Sequence, residues 1–115
     1  METTQAVQSL GALAQETRLG IFRLLVQAGP EGMAAGQIGE KLDLAPATLS
    51  FHLAGLTRAG LARSRQEGRF VIYSADFQAM NALVGYLSEN CCGGRACAPS
   101  TGDPHEKIPR TRRRA

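Results

Sequence analysis

Tryptophan is absent, and only four phenylalanines and two tyrosines are spread over 115 residues. A core must therefore be assembled from Leu, Ile, Val and Ala. Such a core in so short a chain leaves little room for a deep organic-cofactor pocket and makes dimerisation the expected remedy. No apolar run nears the roughly 20 residues needed to span a bilayer. Met1 to Gln15 lacks the basic start and apolar block of a secretory leader. The expectation is a cytoplasmic protein with no membrane partner, its thiols reduced by default. Cysteine itself is missing from the first ninety residues, and His52 and His105 are the only histidines.

The net charge of +3 hides an uneven distribution. Residues 1–90 carry seven Lys or Arg against eight Asp or Glu, a net −1, whereas residues 91–115 carry six against two, a net +4. Two regions are expected: a folded domain over 1–90 and a cysteine-bearing, flexible basic tail over 91–115, where Pro99, Pro104, Pro109 and Arg112-Arg113-Arg114 interrupt all periodicity. Within the domain, Arg58, Arg63, Arg65 and Arg69 fall together with only Glu67 among them. A local basic strip says more about nucleic acid than an overall isoelectric point does, although it also suits a plain solvated surface.

Helical spacing of apolar residues covers Thr4–Ala14 and resumes over Thr17–Gln27 until Gly29-Pro30-Glu31-Gly32 stops it. Ala35–Leu42 reads as a short helix, Asp43-Leu44-Ala45 as a turn, and Pro46 as the first residue of a helix reaching about Ala59. In that last helix Leu49, Leu53 and Leu56 recur at i, i+4 and i+7 and are expected to face the core. Ala47, Thr48, Ser50, Phe51, Ala54 and Arg58 then lie outward, with His52 near the boundary. Leu61–Gln66 and Phe70–Ser74 read as two strands joined around Glu67-Gly68. Asp76–Glu89 returns to helix with Asp76 as its cap. The fold class expected is mainly α with a small β-hairpin, a winged helix-turn-helix in a homodimer. The apolar stripes holding Leu10, Leu13, Leu83, Val84 and Leu87 exceed what one small domain covers, and are expected to meet a symmetric partner.

A helix that enters the major groove must present an outward face free of bulk, and the Pro46–Ala59 segment does so. Thr48 and Ser50 can hydrogen-bond base edges or phosphates, Ala47 or Phe51 can meet a thymine methyl, and His52 is assigned to the same DNA side. Arg58, Arg63, Arg65 and Arg69 are expected to touch phosphates. Double-stranded operator DNA is the partner this constellation suits.

Glu16-Thr17-Arg18-Leu19 with Ile21-Phe22-Arg23-Leu24-Leu25, then Thr48-Leu49-Ser50-Phe51-His52-Leu53 with Leu56 and Ala59-Gly60-Leu61, then Glu67-Gly68-Arg69 with Val71-Ile72-Tyr73, resemble the ArsR/SmtB repressors of bacteria over nearly all of Thr4–Glu89. The resemblance implies a winged-helix homodimer, held by its first and last helices, that leaves its operator when an inducer binds. Two inducer sites familiar in that family have no counterpart here. Met33 to Ile38 holds no cysteine, and Asp76 to Glu89 holds no histidine.

All three cysteines stand in Cys91-Cys92-Gly93-Gly94-Arg95-Ala96-Cys97. The two glycines permit Cys97 to fold back on the vicinal pair, so that three thiolates converge from one chain. Arsenic(III) and antimony(III) are soft, thiophilic and three-coordinate, and the cluster also resembles that of an arsenite-sensing group within the family. Cys91, Cys92 and Cys97 are therefore the expected ligands of a trivalent metalloid inducer. Zinc would need a fourth ligand, for which His105 is the available residue; cadmium and lead suit soft sulfur as well. A redox switch through Cys92–Cys97 is a further alternative. An enzyme is not expected: the cysteines follow a helix rather than the strand-to-helix turn of a thiol reductase, and His52 has no carboxylate near it in sequence.

Overall fold

The computed structural model describes residues 1–94. All seven helical or strand-forming stretches foreseen in the sequence appear, with ends shifted by no more than two residues. Helices α1 (Thr3–Leu13) and α2 (Glu16–Ala28) are separated by a break at Ala14-Gln15, where the Gln15 side chain accepts the Arg18 amide at 2.8 Å. A two-residue strand β1 (Met33–Ala34) precedes α3 (Ala35–Leu42) and α4 (Pro46–Arg58). Strands β2 (Ala62–Glu67) and β3 (Phe70–Ala75) lead to α5 (Phe77–Leu87) and a short 3-10 turn over Cys91–Gly94.

The sheet is antiparallel in the order β1-β3-β2. Strands β2 and β3 pair from Ala62↔Ala75 to Glu67↔Phe70, so the hairpin turns on Gly68-Arg69, one residue later than the sequence suggests. Strand β1 adds Met33↔Tyr73 and Ala34↔Ile72. A two-residue strand carries no detectable alternation, and its existence depends on the β3 edge that receives it. Asp76 caps α5 as expected, its carboxylate accepting the Ala79 amide at 2.9 Å.

The core lies where α2, α3 and α4 meet the base of the hairpin. Ile21, Leu25, Ile38, Leu53, Leu56 and Leu61 are fully buried, each contributing about 1.5–3 kcal/mol of apolar transfer. Between α3 and α4 the chain turns through Asp43, which adopts the left-handed conformation (φ 55°), and the Leu44 amide reaches back to the Gly39 carbonyl at 2.9 Å. A Cβ at position 39 would stand 3.2 Å from the Leu44 carbonyl oxygen, so glycine lets the turn close this tightly.

Helix α1 has two unlike faces. Its small residues Ala6 and Ser9 are buried inward, while Val7 and Leu10 point to solvent. Helix α5 likewise buries Leu83 and exposes Val84 and Leu87. Of the residues expected at a partner interface, Leu83 is thus covered by its own subunit and Leu13 packs against its own core; Leu10, Val84 and Leu87 stay uncovered. No described helix is long and apolar enough to cross a membrane.

Candidate nucleic-acid interface and cysteine cluster

Helix α4 is held by Leu49, Leu53 and Leu56 against the core, as its spacing demands. Its other side presents Ala47, Thr48, Ser50, Phe51, Ala54 and Arg58, all exposed, and Phe51 retains 65% of its accessible surface. Ala45 at the N-cap position offers no side-chain acceptor, and Pro46 occupies the first turn. The amides at the start of α4 therefore have no capping side chain, which suits that end to an anion.

His52 is a correction to the sequence reading. Expected on the DNA side, it is only 9% exposed, and its Nδ1 lies 3.4 Å from Arg18 Nη1. The reason is rotational: position 52 follows Leu49 by three and precedes Leu56 by four, so it shares their inward stripe. Its ring meets Phe51 edge-on, with centroids 5.3 Å apart.

The four arginines separate into two kinds. Arg65 is engaged within the fold: its Nε donates to Glu67 Oε2 at 2.6 Å, and its Nη2 donates to the Glu31 carbonyl at 2.8 Å. It ties the hairpin to the turn that precedes β1. Arg58, Arg63 and Arg69 are exposed, and the Arg65–Glu67 pair is the only salt bridge among the described residues. An exposed ion pair contributes about 0–1 kcal/mol, so the Arg65 contact to backbone matters more for orienting the hairpin than the charge pairing does.

Cys91 and Cys92 sit just past α5, both exposed, their sulfurs 3.4 Å apart. The Cys91 amide bonds to the Ser88 carbonyl at 3.0 Å, which fastens the turn to the helix end. Asn90, Cys92, Gly93 and Gly94 all have positive φ, 57°, 58°, 66° and 92°. A left-handed cysteine costs about 1–2 kcal/mol, and the two glycines after it let the chain reverse without adding to that cost. Cys97 and His105 lie outside the described residues. Among the described residues no three His, Cys, Asp or Glu side chains converge into a metal-holding group.

A family model described as a helix-turn-helix domain matches residues 13–65. The transcriptional activator HlyU of Vibrio cholerae is 32% identical over 90 residues, 78% of this chain and 81% of that protein. Its solved structure superposes with a TM-score of 0.64 at 33% identity, covering 80% of this chain and 99% of that one. An ArsR-like transcriptional regulator from Rhodococcus gives a TM-score of 0.65 at 26% identity, over 74% of this chain and 77% of that one. The homodimeric winged helix-turn-helix DNA-binding domain of Mb0332 from Mycobacterium bovis gives 0.60 at 27% identity, over 80% and 85%. These relatives are regulators rather than enzymes. With its small-faced helix α4 seated on α3 and flanked by an arginine-bearing hairpin, the chain belongs to the ArsR/SmtB family of winged helix-turn-helix transcriptional regulators.

Proposed function

We propose that this regulator is a homodimeric repressor that leaves its operator when arsenite or antimonite binds Cys91, Cys92 and Cys97. Thr48, Ser50, Ala47 and Phe51 would meet base edges, and Arg58, Arg63 and Arg69 the phosphates. The homodimeric Mb0332 domain supports the assembly. So do Val7, Leu10, Val84 and Leu87, which remain 61%, 42%, 58% and 60% exposed on adjoining helices. Beside Val84 runs an apolar groove of about 420 Å³ lined by Leu13, Leu19, Phe22 and Met80.

The observation that carries the inducer reading is the 3.4 Å separation of the Cys91 and Cys92 sulfurs. Two sulfurs 3.4 Å apart, each about 2.3 Å from a shared centre, subtend an angle of about 95° there. That is narrower than the tetrahedral angle zinc prefers and close to what a three-coordinate centre with a lone pair adopts. Arsenic(III) and antimony(III) have this geometry. The inducer, as As(OH)3 or Sb(OH)3, would exchange its three hydroxyls for the three sulfurs, the thiol protons leaving with them as three waters. Because the turn that holds Cys91 is bonded to the end of α5, such a bridge would bear on the same helix whose Val84 and Leu87 face the partner.

The test is release of bound DNA by reduced protein in the presence of arsenite, zinc or a mild oxidant. The expected result is release by arsenite, loss of that release in Cys91→Ser, Cys92→Ser and Cys97→Ser, and retained DNA binding in all three. X-ray absorption should then find three sulfur neighbours. Release by zinc or by the oxidant alone would replace this reading with a divalent-metal or thiol-redox one. Wild-type response to arsenite in all three serine variants would remove the cysteines from sensing altogether.

A further inference from the structure

Arg18 has no role in the reading above, yet it joins three helices. It belongs to the first turn of α2, directly after the break that separates α2 from α1. Its Nε donates to the Ala12 carbonyl in the last turn of α1 at 2.8 Å, filling one of the acceptors a helix end leaves open. Its Nη1 lies 3.4 Å from His52 Nδ1 on α4. The stem crosses α4 at Gly55, where a Cβ would come within 3.5 Å of Arg18 Cδ and Nη1, in ordinary contact. Guanidinium groups only donate, so His52 Nδ1 must be the acceptor and the ring proton must sit on Nε2.

At its opposite end α1 is tied to α5: Thr3 Oγ1 and Tyr86 Oη are hydrogen-bonded at 2.5 Å. Helix α1 therefore bridges the α5 side of the molecule to the DNA-facing helix, and its only hydrogen-bonded connection to α4 among the described residues runs through Arg18.

We propose that Arg18 is a positioning residue for DNA binding: its planar fork locks His52, and with it the roll and tilt of α4, to the end of α1. The fork is suited to this because it holds two acceptors at fixed geometry, which a lysine ammonium does not. Arg18 touches no DNA in this role and adds no phosphate contact of its own. The inference is independent of which inducer the cysteines take.

The experiment uses the full chain and two duplexes: one recovered by the wild-type protein from a randomised pool, and a scrambled duplex of the same composition. Arg18→Met keeps the stem and removes the fork. It should weaken binding to the selected duplex by about tenfold, the loss of one charge-assisted hydrogen bond. Affinity for the scrambled duplex and the slope of log affinity against log salt should stay at wild-type values. His52→Asn, which retains an acceptor near the Nδ1 position, should bind nearly as wild type, whereas His52→Phe should lose as much as Arg18→Met. The Arg18→Met/His52→Phe double variant should be no weaker than either single one, because both break the same link.

Nitrogen chemical shifts of His52 should place the ring proton on Nε2 in the wild type and show a mixture of the two neutral tautomers in Arg18→Met. If Arg18→Met does not melt cooperatively, Arg18→Lys serves, since it keeps the charge and stem. It should retain a wild-type melting midpoint and still lose specific affinity. A salt slope shallower by about one unit in Arg18→Met would make Arg18 a phosphate contact and overturn the proposal. So would additive losses in the double variant, wild-type specificity in Arg18→Lys, or a His52 ring protonated on Nδ1 in the wild type.

Discussion

Replacing Gly32 with alanine should disable the hairpin from a distance. Gly32 has φ +76°, and a Cβ there would stand 2.3 Å from the Tyr73 carbonyl oxygen and 3.0 Å from its carbon. Both atoms are backbone of β3, which is paired on its far side with β2 and cannot yield alone. The left-handed conformation costs a non-glycine residue about 1–2 kcal/mol. Relief of the overlap requires β1 to leave β3, abandoning the Met33↔Tyr73 and Ala34↔Ile72 pairing at about 0.5–1.5 kcal/mol per hydrogen bond. The sum is about 3 kcal/mol, and each kcal/mol lowers the melting midpoint of a domain this size by roughly 4–8 °C, so a fall of about 12–24 °C is expected. The Arg65 bond to the Glu31 carbonyl, one residue upstream, should go with it. A matched control is Gly20→Ala, inside α2 with nothing within 4 Å of the added carbon, which should stabilise by about 0.5–1 kcal/mol. Calorimetry and circular dichroism decide the matter. A Gly32→Ala midpoint within two or three degrees of wild type (~1 kcal/mol or less) would refute the overlap and the pinning role assigned to β1.

Two further outcomes follow from the interface. Arg63→Ala and Arg69→Ala should each make the salt dependence of DNA binding shallower by roughly one unit, whereas Arg65→Ala, whose guanidinium is bound to Glu67 and to backbone, should leave the slope unchanged while lowering affinity; fluorescence anisotropy at several salt concentrations reads all three. Leu87→Asp should yield monomers with much reduced operator affinity, because two half-sites about 34 Å apart need both recognition helices at once. Sedimentation of the wild type as a monomer at micromolar concentration would contradict the dimer.

The candidate site was legible where a residue's environment follows from its position on a helix. Leu49, Leu53 and Leu56 had to face inward together, and that left Ala47, Thr48, Ser50 and Phe51 outward, as the structure has them. His52 could have been placed by the same spacing, but its polarity obscured a position that the period assigns to the core. Arg65 had only half such a signal: Glu67, two residues on, shares its face of the strand, but the Glu31 carbonyl becomes a neighbour only when the hairpin folds onto the turn before β1. Arg18 was visible as part of a family-like stretch, yet nothing local to it indicates Ala12 and His52 as its partners.

The sequence by itself determined the helices, the hairpin, the outward face of α4 and the concentration of cysteines after α5. Those follow from periodicity, turn residues and counts, which are properties of neighbours along the chain. Only the tertiary structure decided that Met33–Ala34 forms a strand, that His52 is enclosed, and that Leu83 is covered while Val84 and Leu87 are not. It also decided that Arg18 and Arg65 are struts rather than free charges. Each of these depends on a group brought near by folding: a strand edge needs an acceptor row, and a long arginine stem reaches whichever carbonyl or ring the packing presents. Spacing along the chain limits such partners, and packing selects among them.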